Sequence, residues 1–415
     1  MTALSNLADA AWLSEGPLKR LLSVLDRDGE EARVIGGAVR NALLGEPIGD
    51  IDVATTALPA EVTRRTTAAG FKPIPTGIEH GTITVVVSGQ PFEVTTLRED
   101  IETFGRHANV SFGRDWKADA ERRDFTMNAL SLTADGRVHD YVDGLKDLGA
   151  RRVRFIGDPA KRIAEDYLRI LRFFRFHAAY GHGAPDAQGF HACIVARGGL
   201  DQLSRERVRM ELLKLLVAPH AVATLATMTE SGILVSVLGG VPHLASFANL
   251  AKIEPAAGVA ADPVRRLGAL GVLTVEDADR LLQRLRLTNA EHARLNSIAD
   301  GWWRVSPTGD HEARALLYRL GAERFTDRAL VAWSRSPANA LDDTWRALAT
   351  LPARWVVPVF PLRAADFMKR GVAKGPGLGA ALDAAETAWI AADFPHDITS
   401  IDAIADAATA VGAKS

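Results

Sequence analysis

Val34-Ile-Gly-Gly-Ala-Val-Arg-Asn-Ala-Leu-Leu-Gly-Glu-Pro-Ile-Gly-Asp-Ile-Asp-Val53 is the stretch around which the chain is organised. Val34 and Ile35 read as a short buried strand. Gly36 and Gly37 let the backbone turn sharply and approach a ligand closely. Ala38 to Leu44 can start a helix there, so free N–H groups point into the turn, the geometry of a phosphate site. Arg40 lies on the first helical turn, where its guanidinium can grip a triphosphate. Asp50 and Asp52 then fall on a second predicted strand. Alternation puts both carboxylates on one face, with Ile51 and Val53 toward the core. Two such carboxylates repel unless a cation lies between them, and hard oxygen ligands suit Mg²⁺.

A Gly-Gly turn alone is usually only a turn, and an isolated Asp-x-Asp is more often a solvated strand end or a cap. Joined within about 20 residues, they describe a nucleotide-plus-metal pocket. The stretch resembles the signature of the class II family of tRNA CCA-adding enzymes and bacterial poly(A) polymerases. That signature reads Gly-Gly-x-Val-Arg-Asp-x-Leu-Leu-Gly, followed by Asp-x-Asp. Asn41 stands where Asp is usual; it keeps a hydrogen-bond acceptor and loses the charge. The resemblance implies an α+β chain: a small polymerase-beta-like nucleotidyltransferase sheet domain, then an all-α neck, body and tail.

At 415 residues the chain is long for one core, and its 47% hydrophobic and 24% charged content is that of a soluble globular protein. The single Cys193 excludes an intrachain disulfide and a cysteine zinc site. No apolar run reaches transmembrane length, and Met1 to Arg33 lacks the pattern of a signal peptide. The expected location is therefore the cytoplasm, with no membrane partner. A net charge of −2 does not mark a nucleic-acid binder, but residues 151–176 carry eight Lys/Arg against three acids. A local basic surface matters more for phosphate contact than the total.

Residues 1–32 read as helical, with Leu18, Leu21, Leu22 and Leu25 as a packing stripe. Pro59 to Ala69 reads as a helix ending at Gly70. Gly81 to Val87 and Pro91 to Leu97 read as hairpin partners across Ser88-Gly89, with Glu93 and Thr95 on one face. Glu93 is a candidate third acid beside the Asp pair; a structural partner on the sheet is the plainer role. Residues 98–119 show no period and read as a flexible loop, which in the family resembles an element needed for switching to ATP.

Glu121-Arg-Arg-Asp-Phe-Thr-Met-Asn128 is the second cluster. By itself it suits a surface salt-bridge cluster. It matches the family's Arg-Arg-Asp-Phe-Thr motif, which implies that Arg123 and Asp124 handle the ribose and phosphates of the incoming nucleotide. His139-Asp140 and His396-Asp397 lack the further ligands of a metal site and read as structural.

The third cluster is Glu165-Asp-Tyr-Leu-Arg-Ile-Leu-Arg-Phe-Phe-Arg-Phe176. On a continuous helix, Ile163, Tyr167, Ile170, Leu171 and Phe174 form the buried stripe, and Asp166 and Arg169 are surface neighbours. An intrahelical ion pair explains them without function. As a fixed acceptor and a fixed donor, they can instead satisfy the pairing edges of cytosine and adenine, whereas uracil and guanine present a carbonyl where the amino group is required. The segment resembles the family's Glu-Asp-x-x-Arg motif, which implies base reading by Asp166 and Arg169, with Arg172 and Arg175 supporting the nucleotide or the helix. Leu203 to Val217, carrying Glu206, Arg207, Glu211 and Lys214, resembles the neck helix that buttresses it.

Past residue 218 the chain reads as helical, with a capping box at Thr288-Asn-Ala-Glu291. Trp302 and Trp303 read as core, and Gly375-Pro-Gly-Leu-Gly379 as a break between helices. The expected division is 1–150 head, 151–217 neck, 218–330 body and 331–415 tail. The expected reaction adds C, C and A to tRNA 3′ ends from CTP and ATP without a nucleic-acid template. Asp50 and Asp52 would hold Mg²⁺ for two-metal, in-line attack of the primer 3′-OH on the α-phosphate, with release of pyrophosphate. A poly(A) polymerase and CC-only or A-only enzymes share the motifs. A metal-dependent glycosyltransferase accounts only for Asp50-Ile-Asp52, and a non-catalytic RNA-binding protein has no use for the Asp pair.

Overall fold

A computed structural model of the chain describes residues 7–77, 79, 81–104, 107–307 and 309–412, with side chains at 99–104 and 107–111 left aside. It divides into two compact units, Met1–Val237 and Leu238–Ser415.

The first unit is built on a seven-stranded sheet in the order β3-β4-β5-β2-β1-β8-β9. Its strands are β1 (Ala32–Ile35), β2 (Asp52–Thr55), β3 (Lys72–Gly77), β4 (Thr82–Val87), β5 (Gln90–Thr96), β8 (Ser131–Leu132) and β9 (Val138–His139). The β2–β5 pair is parallel and every other pair is antiparallel. Parallel pairing requires a crossover, and the helix Pro59–Ala68 lies within the one between β2 and β5. The leucine stripe lies on the helix Gly16–Leu25, with all four leucines buried.

Three expectations change in this unit. Asp50 lies before β2, not on it, and is exposed. The last pair of the β1–β2 ladder is Ile35↔Asp52, and β1 gives way at Gly36 to the turn, so that strand offers no partner to Ile51 or Asp50. Residues 98–119 are not a loop: β6 (Arg98–Phe104) and β7 (His107–Phe112) form a separate two-stranded ribbon, and the helix Trp116–Glu121 follows. Arg98-Glu-Asp-Ile-Glu-Thr-Phe104 has no apolar alternation, so a ribbon held by backbone pairing leaves no periodic signature; Gly105 and Arg106 lie outside the described residues. The third cluster is broken rather than continuous: one helix ends at Glu165, Asp166 is extended (φ −156°, ψ 106°), and a second runs Leu168–Tyr180. Ile163, Ile170, Leu171 and Phe174 are nonetheless buried, because both pieces face the same core.

The second unit is built of helices and their connections, with no strand among its described residues. Its core holds a network in which Arg265 meets Glu254 (2.9 Å) and Asp327 (3.0 Å), and Arg266 meets Glu254 (2.8 Å). Buried charges persist where they are paired and hydrogen-bonded. The Thr288/Glu291 capping box is present. Trp302 donates its indole N–H to the Leu273 carbonyl, whereas Trp303 is 53% exposed and is not core. No helix of the described residues is long and apolar enough to cross a membrane.

Candidate active site

The site begins where β1 stops. Gly36 has φ 67°, a conformation costly for any residue with a Cβ, and the helix Gly37–Leu44 starts from it. A Cβ on Gly36 would stand 3.6 Å from Arg123 Nη1. The glycine pair therefore opens the turn toward the Arg-Arg-Asp segment.

Ile35, Asp52 and Glu93 are paired across neighbouring strands β1, β2 and β5. Cross-strand partners share a face, so Asp52 and Glu93 project side by side. Asp52 is pushed up to about 6, by burial first and then by Glu93, with Asp50 adding and Arg123 opposing. The two expected metal ligands and the candidate third acid thus converge as charges. Among the described residues no three His, Cys, Asp or Glu groups form a ready metal-binding set. The donor set still fits a hard divalent cation, because such an ion relieves the mutual repulsion felt at Asp52.

Arg122 and Arg123 are held by Asp119, whose side chain is buried; Arg123 Nη2 lies 3.0 Å from it. The guanidinium of Arg162 donates to the carbonyls of Arg122 and Arg123 and fixes the segment from below. Asp124 accepts from the Phe125 N–H (2.9 Å), from Asn128 Nδ2 (3.2 Å) and from Arg172 (2.7 Å). Burial alone would raise its pKa; the charge and hydrogen bonds of Arg172 outweigh it and hold the carboxyl below the ordinary value. Its side chain is 11% exposed, and the residue lines the cleft of the site.

The side chains of Asp166 and Arg169 do not pair with each other. The break at Asp166 frees its carboxylate to accept from the Leu168 N–H (3.1 Å) and from Arg207 Nη2 (2.6 Å). Arg169 is held by the Glu165 carboxylate and by the Arg162 carbonyl (2.6 Å). The intrahelical ion pair expected as the plain alternative is therefore absent. Acceptor and donor are each fixed from outside. Arg172 and Arg175 both reach Glu211 on the helix Arg205–Leu216, which buttresses the Leu168–Tyr180 helix as the resemblance implied.

A cleft of about 520 Å³ gathers these groups. It is lined by Gly36, Gly37, Arg40, Asp52, Arg123, Asp124, Asp166, Arg169, Arg172 and Arg175, the expected set apart from Asp50 and Glu93. Asn128, Phe176 and Arg207 line it as well. Phe176 is a platform for three guanidiniums, with Arg175 at 4.1 Å and Arg40 and Arg172 each at 5.3 Å from the ring centroid. Asn128 and Arg207 stood in segments already singled out; only the folded geometry shows that they face the cleft. His139 and His396 belong elsewhere: Asp140 takes three backbone N–H groups at the start of the helix Gly144–Gly149, and Asp397 accepts from the Ser400 N–H (2.8 Å).

Comparison with known proteins gives the same outline. Residues 32–154 match the family described as Poly A polymerase head domain, and residues 190–247 match the probable RNA- and SrmB-binding site of polymerase A. The chain is 35% identical over 387 residues to the mitochondrial CCA tRNA nucleotidyltransferase 1 of Danio rerio, covering 89% of this chain and 85% of the relative. It is 31% identical to the CCA-adding enzyme of Limosilactobacillus fermentum, over 88% of this chain and 90% of that one. Among solved structures, the Bacillus stearothermophilus CCA-adding enzyme in complex with CTP superposes with a TM-score of 0.73 at 30% identity, over 91% of this chain and 93% of that one.

Proposed function

The chain belongs to the CCA tRNA nucleotidyltransferase family, and we propose that the 520 Å³ cleft is where it joins a nucleotide to an RNA 3′ end. The enzyme adds C, C and A to the tRNA 3′ end from CTP and ATP and releases pyrophosphate. The observation that carries the site is the meeting, in one cleft, of the glycine turn with Arg40, the acidic Asp52, the Arg123–Asp124 pair and the separately fixed Asp166 and Arg169.

Each group has a task that its chemistry allows. The amides after Gly36 and the guanidinium of Arg40 hold the β- and γ-phosphates and steady the departing pyrophosphate. Arg123 meets the phosphate side, and Asp124, which lines the cleft, turns toward a ribose hydroxyl. Asp166 accepts the exocyclic amino group common to cytosine and adenine, and Arg169 donates to the adjacent ring nitrogen. Uracil and guanine bring a carbonyl against Asp166 and are rejected, because an unmatched polar pair in a closed site costs about 10⁴-fold or more. Arg172 and Arg175 keep the reading helix against Glu211.

The family generally uses divalent metals. Asp52 and Asp50 would hold Mg²⁺, with Glu93 as the third acid. Bound there, the cation would lower the pKa of the primer hydroxyl and offset charge developing at the α-phosphate. We place the boundaries at 1–150 for the head, 151–217 for the neck, 218–330 for the body and 331–415 for the tail. A single Cys193, buried as a free thiol, suits a reducing compartment, and on that ground we assign the chain to the cytoplasm.

The test is extension of tRNA transcripts ending before CCA, after C and after CC, with CTP, ATP or both. Two C residues, one A and arrest are expected. A long A ladder would make the chain a poly(A) polymerase, and binding without incorporation would overturn the reading.

A further inference from the structure

Six arginines line the cleft. Arg123, Arg169, Arg172, Arg175 and Arg207 each meet a carboxylate, in turn Asp119, Glu165, Asp124, Glu211 and Asp166. Among the described residues Arg40 is different, because all its hydrogen-bond partners are neutral. Asn41 Oδ1 accepts from its Nε (3.1 Å) and Nη2 (2.9 Å), Asn128 Oδ1 from Nη1 (2.5 Å), and the Tyr180 hydroxyl from Nη2 (2.7 Å). The Tyr180 ring lies 3.9 Å from the guanidinium carbon. Arg40 is 6% exposed, yet it opens on the cleft. Burial lowers its pKa and Arg175 adds to this, while Tyr180 and the more distant Asp124 only partly offset it, and no carboxylate among the described residues is hydrogen-bonded to this dehydrated cation. A guanidinium stays protonated in a protein, so its charge is held for an external anion.

We propose that Asn41 sets the strength of this anion site: its amide orients Arg40 through two hydrogen bonds and leaves the guanidinium charge for the incoming triphosphate and the departing pyrophosphate. This rests on the nucleotidyl-transfer reading above. A carboxylate at position 41 would keep the acceptor geometry and cancel the charge. It would also set its second oxygen against the Pro47 carbonyl, to which Asn41 Nδ2 now donates at 2.8 Å. The amide therefore does two things that a carboxylate cannot: it leaves the Arg40 charge without a counter-charge at position 41, and it ties down the chain that runs on to Asp50. Asn41 is a positioning residue, because it acts through Arg40.

The experiment uses the full chain as wild type, Asn41→Asp, Asn41→Ala, Arg40→Gln and the Arg40→Gln/Asn41→Asp double variant. Calorimetric titration with inorganic pyrophosphate gives Kd, steady-state CTP incorporation gives KM and kcat, and thermal unfolding shows that each variant is folded. Asn41→Asp should weaken pyrophosphate binding by about tenfold and raise KM for CTP in step. Asn41→Ala, which loses orientation but adds no charge, should weaken it by about threefold. In the Arg40→Gln background, Asn41→Asp should have little further effect, since the charge it cancels is gone. Pyrophosphate binding by Asn41→Asp equal to wild type, a larger loss in Asn41→Ala than in Asn41→Asp, or an undiminished Asn41→Asp effect without Arg40 would each overturn the proposal. Should Asn41→Asp fail to fold, the ratio between Asn41→Ala and Arg40→Gln decides: an Asn41→Ala loss as large as that of Arg40→Gln would make position 41 structural. A wild type that binds pyrophosphate but incorporates no nucleotide would instead break the transfer reading, so the two failures are distinguishable.

Discussion

Arg207 Nη2 donates to Asp166 Oδ2 at 2.6 Å, and this bond, made from a neighbouring helix, fixes an acceptor that stands extended between two helices. Both side chains are largely buried, so the contact is shielded from solvent. Arg207→Ala should let the Asp166 carboxylate rotate and accept other base edges. The expected result is a loss of about tenfold in the preference for CTP over UTP with a smaller fall in CTP turnover, since one charge-assisted hydrogen bond is worth about 1.5–3 kcal/mol. Competition between CTP and UTP for one transcript measures it. Unchanged selectivity would mean that Asp166 is held adequately by the Leu168 N–H alone.

Asp52 stands beside Glu93 on the sheet and feels Asp50 as well. Asp52→Asn removes a carboxylate without changing shape. Incorporation should fall by about 10³-fold or more, while tRNA affinity by filter binding stays within about twofold, because this group acts on charge at the reacting centre. Glu93→Gln should give a smaller loss that added Mg²⁺ partly restores. A Glu93→Gln enzyme with wild-type metal dependence would leave Glu93 as a sheet residue only.

Much of this was readable before folding, and the reason is chemical. Gly36-Gly37, Arg40 and Asp52 lie within 20 residues, so local pattern alone assembles the floor of the site. Arg123, Asp124, Asp166 and Arg169 were legible through motif resemblance, since nothing in their spacing places them against Gly36. What stayed hidden was pairing. Whether Asp166 binds Arg169 or Arg207 depends on one extended residue that breaks a helix, and helical periodicity continues through such a break. Asp119 was hidden for a similar reason, on a short helix that follows a stretch with no apolar period. Tyr180 and Asn128 reach Arg40 from 140 and 88 residues away in sequence, distances at which pattern carries no information.

Asp119 does not line the cleft but holds Arg122 and Arg123 together. Asp119→Asn should raise KM for both nucleotides with little change in kcat, and should cost about 1.5–3 kcal/mol in stability from weakened charge-assisted bonds. Burial pushes this carboxyl up, and the charges of Arg123 and Arg122 more than reverse that, so its folded pKa lies below the ordinary value. A carboxyl depressed on folding contributes fully above its unfolded pKa of about 3.9, and the contribution is lost as pH falls through the folded value. Wild-type stability should therefore drop more steeply below about pH 4 than that of Asp119→Asn. Chemical denaturation at several pH values tests this, and parallel curves would exclude the ion cluster as a stabilising element.

The site is also tied to an aromatic core. Phe155 lies 4.8 Å from Phe125 and 5.4 Å from Phe173 between ring centroids, and all three are buried. The backbones join there too: the Ile156 N–H donates to the Asp124 carbonyl at 3.1 Å, and the Thr126 N–H to the Arg154 carbonyl at 3.0 Å. Phe125 follows Asp124 directly and Phe173 follows Arg172, the two residues that form a salt bridge in the cleft. Phe155→Ala should therefore cost about 3–5 kcal/mol of stability through the cavity it leaves. Below the unfolding transition it should also lower kcat/KM, because the cavity lets the Asp124 and Arg172 segments move relative to each other. Phe155→Leu, which refills part of the space, should recover most of both. If Phe155→Ala lost stability but kept wild-type kcat/KM at low temperature, the core would support the fold without setting the geometry of the site.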